Sequence, residues 1–542
     1  MTSSRQLTFK KQYDITIAGA GVFGAAMAWE ASHRGLSVLL VDKEDFSASA
    51  SANSLKTIHG GLRYLQQVNL LSTRSSAKER KAWLKMAPDL VQPLDCVLPT
   101  SGYLMKSRLI LASGLLLYNL LTLDRNAGMP SGQQINGGKL ISKAAFSKLL
   151  PEVKDNQFTG AAYWQDAQGL HTERLIYLMV SAAQQYDADC YNYAKFLEFS
   201  KQGDDYRITL EDQLTGKTSE VTSRILVDCS ANGRVVEKKL GIDEKIQYVS
   251  AINLIVDKPL TSVAVGLNVQ DESIGTRALF LSPWRDKTLV GTWYFKEAEP
   301  SEAQLSAAIE QVNTLFLTPQ FGVEDVCHIH LGHLPASAAK IKDVGPDYAL
   351  LSQAQVIDWS NHDSGCDGLY TIRGTKYTLA RREAQLMIDR LAKAHHLQVN
   401  PSKSKSTCLY SNHATDDGKD LGLTSEQIRL ISRYFRGVWP KIREIASKDD
   451  LAAPVPGFSC CPKAVVRHCI SEEQAYHLDD LLTRRLPLGD EGMPEDKTID
   501  YCLNEMATFY KWDLARQQQE KERLNAHYQA LAKLDTKLSK VC

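Results

Sequence analysis

Residues 13–46, YDITIAGAGVFGAAMAWEASHRGLSVLLVDKEDF, read as strand, turn, helix and strand. Ile15, Ile17 and Ala18 form a short apolar run that enters the turn Gly19-Ala20-Gly21-Val22-Phe23-Gly24. In such a GxGxxG turn the first glycine makes the bend. The second lets a pyrophosphate approach the backbone, and the third lets helix pack on strand. Small residues over 23–34 suit a helix whose N-terminus faces phosphates. Residues 37–41 then make a buried strand that ends at Asp42, placed to bind ribose hydroxyls. A chain built on this unit folds around a parallel sheet that holds a dinucleotide.

The segment after Asp42 points to the ligand. NAD enzymes usually continue at once into further strand–helix units. Here a small, polar segment leads to SLKTIHGGLRYL (54–65), with Lys56, His59, Arg63 and Tyr64 around Gly60-Gly61. Adjacent glycines weaken any helix or strand, so something must come close to the backbone there. The expectation is a bound FAD, with Gly60-Gly61 under or beside its isoalloxazine ring and Arg63 and Tyr64 facing a substrate.

Composition narrows the class. A chain of 542 residues exceeds a single core, and 44% hydrophobic residues mark it as globular. Lys+Arg and Asp+Glu are both 63, so no basic surplus favours nucleic acid. The segment MTSSRQLTFKKQYD has no apolar signal core, and 11 scattered cysteines without a CxxC pair fit reduced thiols. A cytoplasmic protein without a metal centre is expected.

The block GAGVFGAAMAWEASHRGLSVLLVDKEDFSASASANSLKTIHGGLRYLQ resembles the amino-terminal block of FAD-dependent glycerol-3-phosphate dehydrogenases and oxidases, and IHGGLRYL is specific to that family. KERKAWLKMAPDLVQPL (78–94), SPWRDKTLVGTWY (282–294), GLYTIRGTKYTLARREAQ (368–385) and AVVRHCISEEQAYHLDDLLTRRLPLG (464–489) resemble later family segments. The resemblance implies α/β plus α+β architecture. A Rossmann-type FAD-binding domain (1–80, 160–240 and 340–395) is interleaved with a mixed-sheet substrate domain (81–159 and 241–339). A linker (400–420) leads to a helical C-terminal domain (421–542), in which Thr424 with Gln427 and Ser471 with Gln474 look like capping boxes.

The resemblance further implies that Gly19, Gly21, Gly24, Asp42, Lys43, Ser54, His59, Gly60, Gly61, Leu62, Gly374, Thr375, Lys376 and Tyr377 hold the cofactor. It implies oxidation of a small secondary alcohol or polyol derivative by hydride transfer to flavin N5, with quinone or another acceptor taking the electrons. Lys376, Arg63, Tyr64, His333 and His330 are the candidate catalytic and substrate-contact groups. His330 and His333 alternate along one strand and are read as facing the same side. Three positions depart from the family pattern: Asn253 replaces a histidine, and His333 and Pro346 replace arginines expected to hold a phosphate. Glycerol 3-phosphate itself is therefore expected to be a poor substrate. Two rivals stay open: an amine or amino-acid oxidase using Arg285 or Arg277 for a carboxylate, and a non-catalytic flavin-binding partner protein.

Residues 109–123, LILASGLLLYNLLTL, carry no charge and are flanked by Lys106, Arg108 and Arg125. A helix this short cannot span a bilayer. It is either a core helix or an interfacial one, and the resemblance to enzymes that feed membrane quinone favours peripheral contact with the inner membrane face through 106–125. A homo-oligomer stays open.

Overall fold

The computed structural model describes Arg5 and residues 7–528, apart from 103–106, 155–157, 232–233, 242–245, 272–274, 338–349, 351–352, 362–365 and 449. Pro346 and the end of the C-terminal tail lie outside the described residues, as does the side chain of Arg277.

Strand Tyr13–Ala18, helix Val22–His33 and strand Val38–Val41 match the local signals closely. Both strands are apolar and buried on two faces, which suits the middle of a parallel sheet. Tyr13–Ala18 pairs in parallel with Val38–Val41 on one side and Thr218–Asp228 on the other. Leu369–Arg373 and Asp189–Tyr191 extend the parallel set, and Gln355–Asp358 closes one edge antiparallel. Helices Val22–His33, Thr172–Gln185 and Ala380–Ala394 pack together on one face. The hairpin Ala194–Gln202 and Asp205–Asp212 continues the sheet from Thr218–Asp228. Tyr206, Ile208 and Leu210 bury a second core with Tyr13, Leu39 and Trp359.

Among the described residues the second sheet has nine strands and mixed directions. Its order is Val326–Ser337, Ile246–Val256, Lys287–Phe295, Gly275–Trp284, Ala264–Asp271, Val91–Thr100, Gly160–Gly169 and Thr57–Ile58, with Lys139–Ser142 also on Gly160–Gly169. Its neighbours are antiparallel except Ala264–Asp271 on Val91–Thr100. Residues 279–295 form a hairpin that turns at Arg285 and Asp286. The expected place of residues from 160 onward, in the first sheet, is corrected: Gly160–Gly169 belongs to the second sheet and carries Thr57–Ile58 with it.

The segment 400–420 is packed against the body: the Leu409 N–H donates to the Met86 carbonyl at 2.9 Å and the Tyr410 hydroxyl to Asp89 at 2.9 Å. Beyond it, Thr424 and Gln427 form the capping box that opens helix Ser425–Leu430. Ser471 does not open a helix. It sits in the last turn of Lys463–Glu472, because the buried face made by Ala464, Val465, His468 and Cys469 carries the helix through it.

The helix Arg108–Leu121 is not a core helix. Leu115 and Tyr118 are buried, while Leu109, Leu116 and Leu120 are exposed along its length and Leu123 is exposed just beyond it. Val68 and Leu71, 79% and 84% exposed, extend the apolar surface at the start of the neighbouring helix Leu70–Met86. Among the described residues no helix is long and apolar enough to cross a membrane.

Candidate active site and cofactor cavity

The glycine turn works by close packing. Gly19 has φ +100°, and a Cβ there would lie 2.7 Å from the Ser230 nitrogen. A Cβ on Gly24 would lie 1.8 Å from the Gly19 carbonyl oxygen, so only glycine lets the helix sit on the strand. Gly21 caps helix Val22–His33 without a side chain and lines a cavity of about 970 Å³. The Asp42 carboxylate accepts the Ala20 N–H at 2.6 Å and the Glu44 N–H at 3.0 Å, which fixes it at the end of its strand on the same wall.

From that turn the cavity runs along Ser47–Ser54 to residues of the second sheet and to Gly374, Thr375, Lys376 and Tyr377. Gly374 is glycine because the Phe23 ring fills the space a Cβ would need, 1.9 Å away. Lys376 carries its ammonium 4.7 Å from the centre of the Tyr64 ring, a cation–π contact on the cavity wall. Tyr377 packs on Trp83 with ring centroids 5.2 Å apart.

His59, also on the wall, has Nδ1 3.1 Å from Asp166 Oδ2. Asp166 is buried on strand Gly160–Gly169, accepts the Gly60 N–H at 2.7 Å and pairs with Arg80 at 3.0 Å. Burial alone would raise its carboxyl. The hydrogen bond from His59 and the charges of His59 and Arg80 outweigh that and hold it at about 2. The ionised carboxylate can only accept, so in the neutral imidazole Nδ1 is the nitrogen that carries the proton and Nε2 the one with the lone pair.

Several expectations change. Gly60 and Gly61 do not line the cavity. A Cβ on Gly60 would strike Arg80 Nη1 at 2.2 Å and the Tyr118 hydroxyl at 2.4 Å, while Gly61 has φ +86° and lies against Ser76. Their bare backbone makes room for the Arg80–Asp166 pair and opens a 3₁₀ turn. Leu62 sits in a small apolar cluster, and Arg63 is exposed away from the lining. His330 and His333 are three apart, and side chains on a strand alternate, so they face opposite sides. His330 is 1% exposed, with Nε2 3.1 Å from the Asp490 carbonyl oxygen, and burial pushes its imidazolium well below the usual range. His333 faces the cavity, its Nδ1 3.2 Å from Ser250 Oγ. Asn253, buried on the same wall, accepts from the Thr292 hydroxyl at 2.7 Å. Lys43 and Ser54 line the cavity.

The donor set fits FAD: a capless helix N-terminus, a strand-end carboxylate, glycine backbone and a long cavity ending at a cation. The profile of the FAD dependent oxidoreductase family (DAO) matches residues 14–374. The chain belongs to that family. Among curated relatives, the flavoenzyme is 26% identical to a glycerol-3-phosphate dehydrogenase of Synechocystis over 70% of each chain. It is 25% identical to the aerobic glycerol-3-phosphate dehydrogenase of Staphylococcus haemolyticus over 95% of this chain and 94% of that one. The solved glycerol-3-phosphate dehydrogenase of Bacillus halodurans, complexed with FAD, shares its fold with TM-score 0.74 at 17% identity, covering 96% of this chain and 95% of that one.

Asp166 is the functional candidate that sequence reading missed in this FAD-dependent oxidoreductase. Its signal is an acid inside the apolar strand sequence YWQDAQGL, a placement that demands a buried partner. His171, Glu173 and Asp490 also approach one another, but Lys56 holds Glu173 at 2.8 Å and Arg285 holds Asp490 at 3.0 Å.

Proposed function

We propose that this flavoenzyme oxidises the secondary hydroxyl of a small alcohol or polyol derivative and passes the electrons to quinone or another acceptor. Bound FAD supplies the hydride-accepting N5. On this reading the chain is an interleaved FAD-binding and substrate pair with a helical C-terminal domain. Gly19, Gly21, Asp42, Lys43, Ser54 and Gly374–Tyr377 hold the cofactor. His59 Nε2 takes the hydroxyl proton, and Asp166 orients the ring and stabilises the imidazolium. Lys376 stabilises negative charge at the far end of the cavity, and Tyr64 positions it. The observation that carries this reading is the His59–Asp166 pair on the wall of the same cavity as Lys376.

The amine-oxidising rival loses one of its two candidate carboxylate anchors. Arg285 is committed to Asp490, Glu491 and the Leu170 carbonyl. Glycerol 3-phosphate is proposed as a poor substrate on related grounds. No arginine lines the cavity among the described residues, and Arg373 is buried against Glu237. A hydrogen bond to an ionised group contributes about 1.5–3 kcal/mol, so two lost arginine contacts weaken binding by about two to four powers of ten.

Anaerobic bleaching of the bound flavin by phosphorylated and unphosphorylated polyols tests the reading. Bleaching by a polyol is the expected result, and a flavin that no alcohol reduces would overturn it. Steady-state rates with an artificial acceptor test the phosphate claim. A Michaelis constant for glycerol 3-phosphate well below millimolar, with ordinary turnover, would overturn that part alone.

We also propose that the exposed leucines of the 108–121 helix and its neighbours rest on a membrane surface. Support comes from a continuous apolar face with Arg108 at its start, on a helix too short to span.

A further inference from the structure

A second cavity, of about 930 Å³, lies between the first sheet and the C-terminal helices. It meets the FAD cavity only at a shared wall, Lys43 and Glu44. One side is aromatic. Tyr510 and Trp512 stack with ring centroids 5.7 Å apart and planes 20° apart, and Tyr476 lies 6.0 Å from Tyr510. The Tyr510 hydroxyl donates to the Ala475 carbonyl at 2.8 Å, which fixes the ring. The other character of the lining is basic. Lys511 stands exposed between the two stacked residues in chain order, and no ion pair holds it among the described residues. Arg516 lies 5.6 Å over the Trp512 ring.

The acids on this wall each have a partner. Glu472 pairs with Lys441 at 2.7 Å, and Asp513 accepts the Arg516 N–H at 2.8 Å as the cap of helix Leu514–His527. Glu44 pairs with Lys43. Arg516 shares its charge with Glu520, 2.7 Å away, so Lys511 is the cation of this wall that no ion pair holds among the described residues.

Aromatic faces take a planar ring by stacking, and a lysine with an arginine takes a phosphate. A nucleoside phosphate offers both groups in one molecule. We propose that this cavity is a second ligand site, for a nucleoside phosphate, separate from the FAD site.

The test is calorimetric titration of the FAD-loaded enzyme, so that the dinucleotide cavity is already filled. The probes are ADP and UDP, with adenosine, uridine and inorganic phosphate as the half-ligands. The expected result is one site per chain for at least one nucleotide, with flavin absorbance unchanged and each half-ligand binding at least tenfold more weakly. Lys511→Gln and Arg516→Gln are each expected to weaken nucleotide binding at least tenfold without changing flavin content. Should Arg516→Gln disturb folding through Glu520, the exposed Lys511→Gln decides. The proposal is overturned if neither nucleotide binds at millimolar concentration or if binding displaces FAD. It is equally overturned if Lys511→Gln leaves the affinity unchanged, or if phosphate alone binds as tightly.

Discussion

At the scale of single residues, the site turns on two pairs. His59 is about half exposed and Asp166 is buried, so the pair presents a usable nitrogen from a fixed mount. Asp166→Asn removes the charge that favours the imidazolium. The acidic limb of the flavin-reduction rate profile is then expected to move to lower pH, with a lower plateau. His59→Asn is expected to cost about a hundredfold or more, the usual weight of a positioned base. Stopped-flow reduction across pH checks both, and an unshifted limb in Asp166→Asn would remove Asp166 from the mechanism. Lys376→Ala is expected to slow flavin reduction about a hundredfold or more, about 3 kcal/mol, while FAD content stays near normal. Equal losses of rate and of FAD would make Lys376 a cofactor ligand only.

At the scale of elements, the 108–121 helix joins an exposed apolar face to the site. Its Tyr118 hydroxyl accepts from Arg80 at 2.8 Å, and Arg80 holds Asp166. The exposed and buried positions give opposite expectations. Replacing Leu109, Leu116, Leu120 and Leu123 together with serine is expected to release the protein from liposomes while its melting temperature holds. Exposed substitutions usually change stability by no more than about 0.5 kcal/mol. Leu115→Ser is expected to destabilise by about 2–5 kcal/mol, because Leu115 is 3% exposed. Liposome flotation beside thermal melts separates the two. A quadruple variant that still floats with liposomes would end the membrane reading.

At the scale of the whole molecule, buried ion pairs hold the C-terminal helices to the FAD-binding sheet. Asp45 accepts from Arg484 at 2.7 Å and from Arg485 at 2.7 Å, and Arg174 pairs with Glu473. Burial alone would raise the Asp45 carboxyl, but the Arg485 and Arg484 charges hold it at about 2. A carboxyl held low stabilises the fold fully above the ordinary carboxylate value of about 4. That contribution is lost as pH falls from there through the folded value. Asp45→Ala leaves two guanidinium groups short of a partner and is expected to cost about 3–5 kcal/mol at neutral pH, and much less near pH 2. Acid-dependent melting of both proteins checks it; a cost that does not shrink with acid would place the effect in packing. How much of this was legible in the chain depends on distance along it. Residues 13–46 determined their own strand, turn, helix and strand, and with them the cofactor class, because each signal acts within a few residues. The paired glycines of IHGG were legible as a close approach, but not what approaches. Arg80 and Tyr118 come from helices further along the chain, and Asp166 lies 106 residues from Gly60. The opposite faces of His330 and His333 follow from strand geometry alone. Which one meets the cavity was settled by pairing with Ile246–Val256 and by the Asp490 backbone packing over His330. Local propensity could make a helix of 108–121, and only the tertiary structure decided that most of its leucines stay outside. Burial depends on what the rest of the chain brings against an element, and that is written in no short stretch of it.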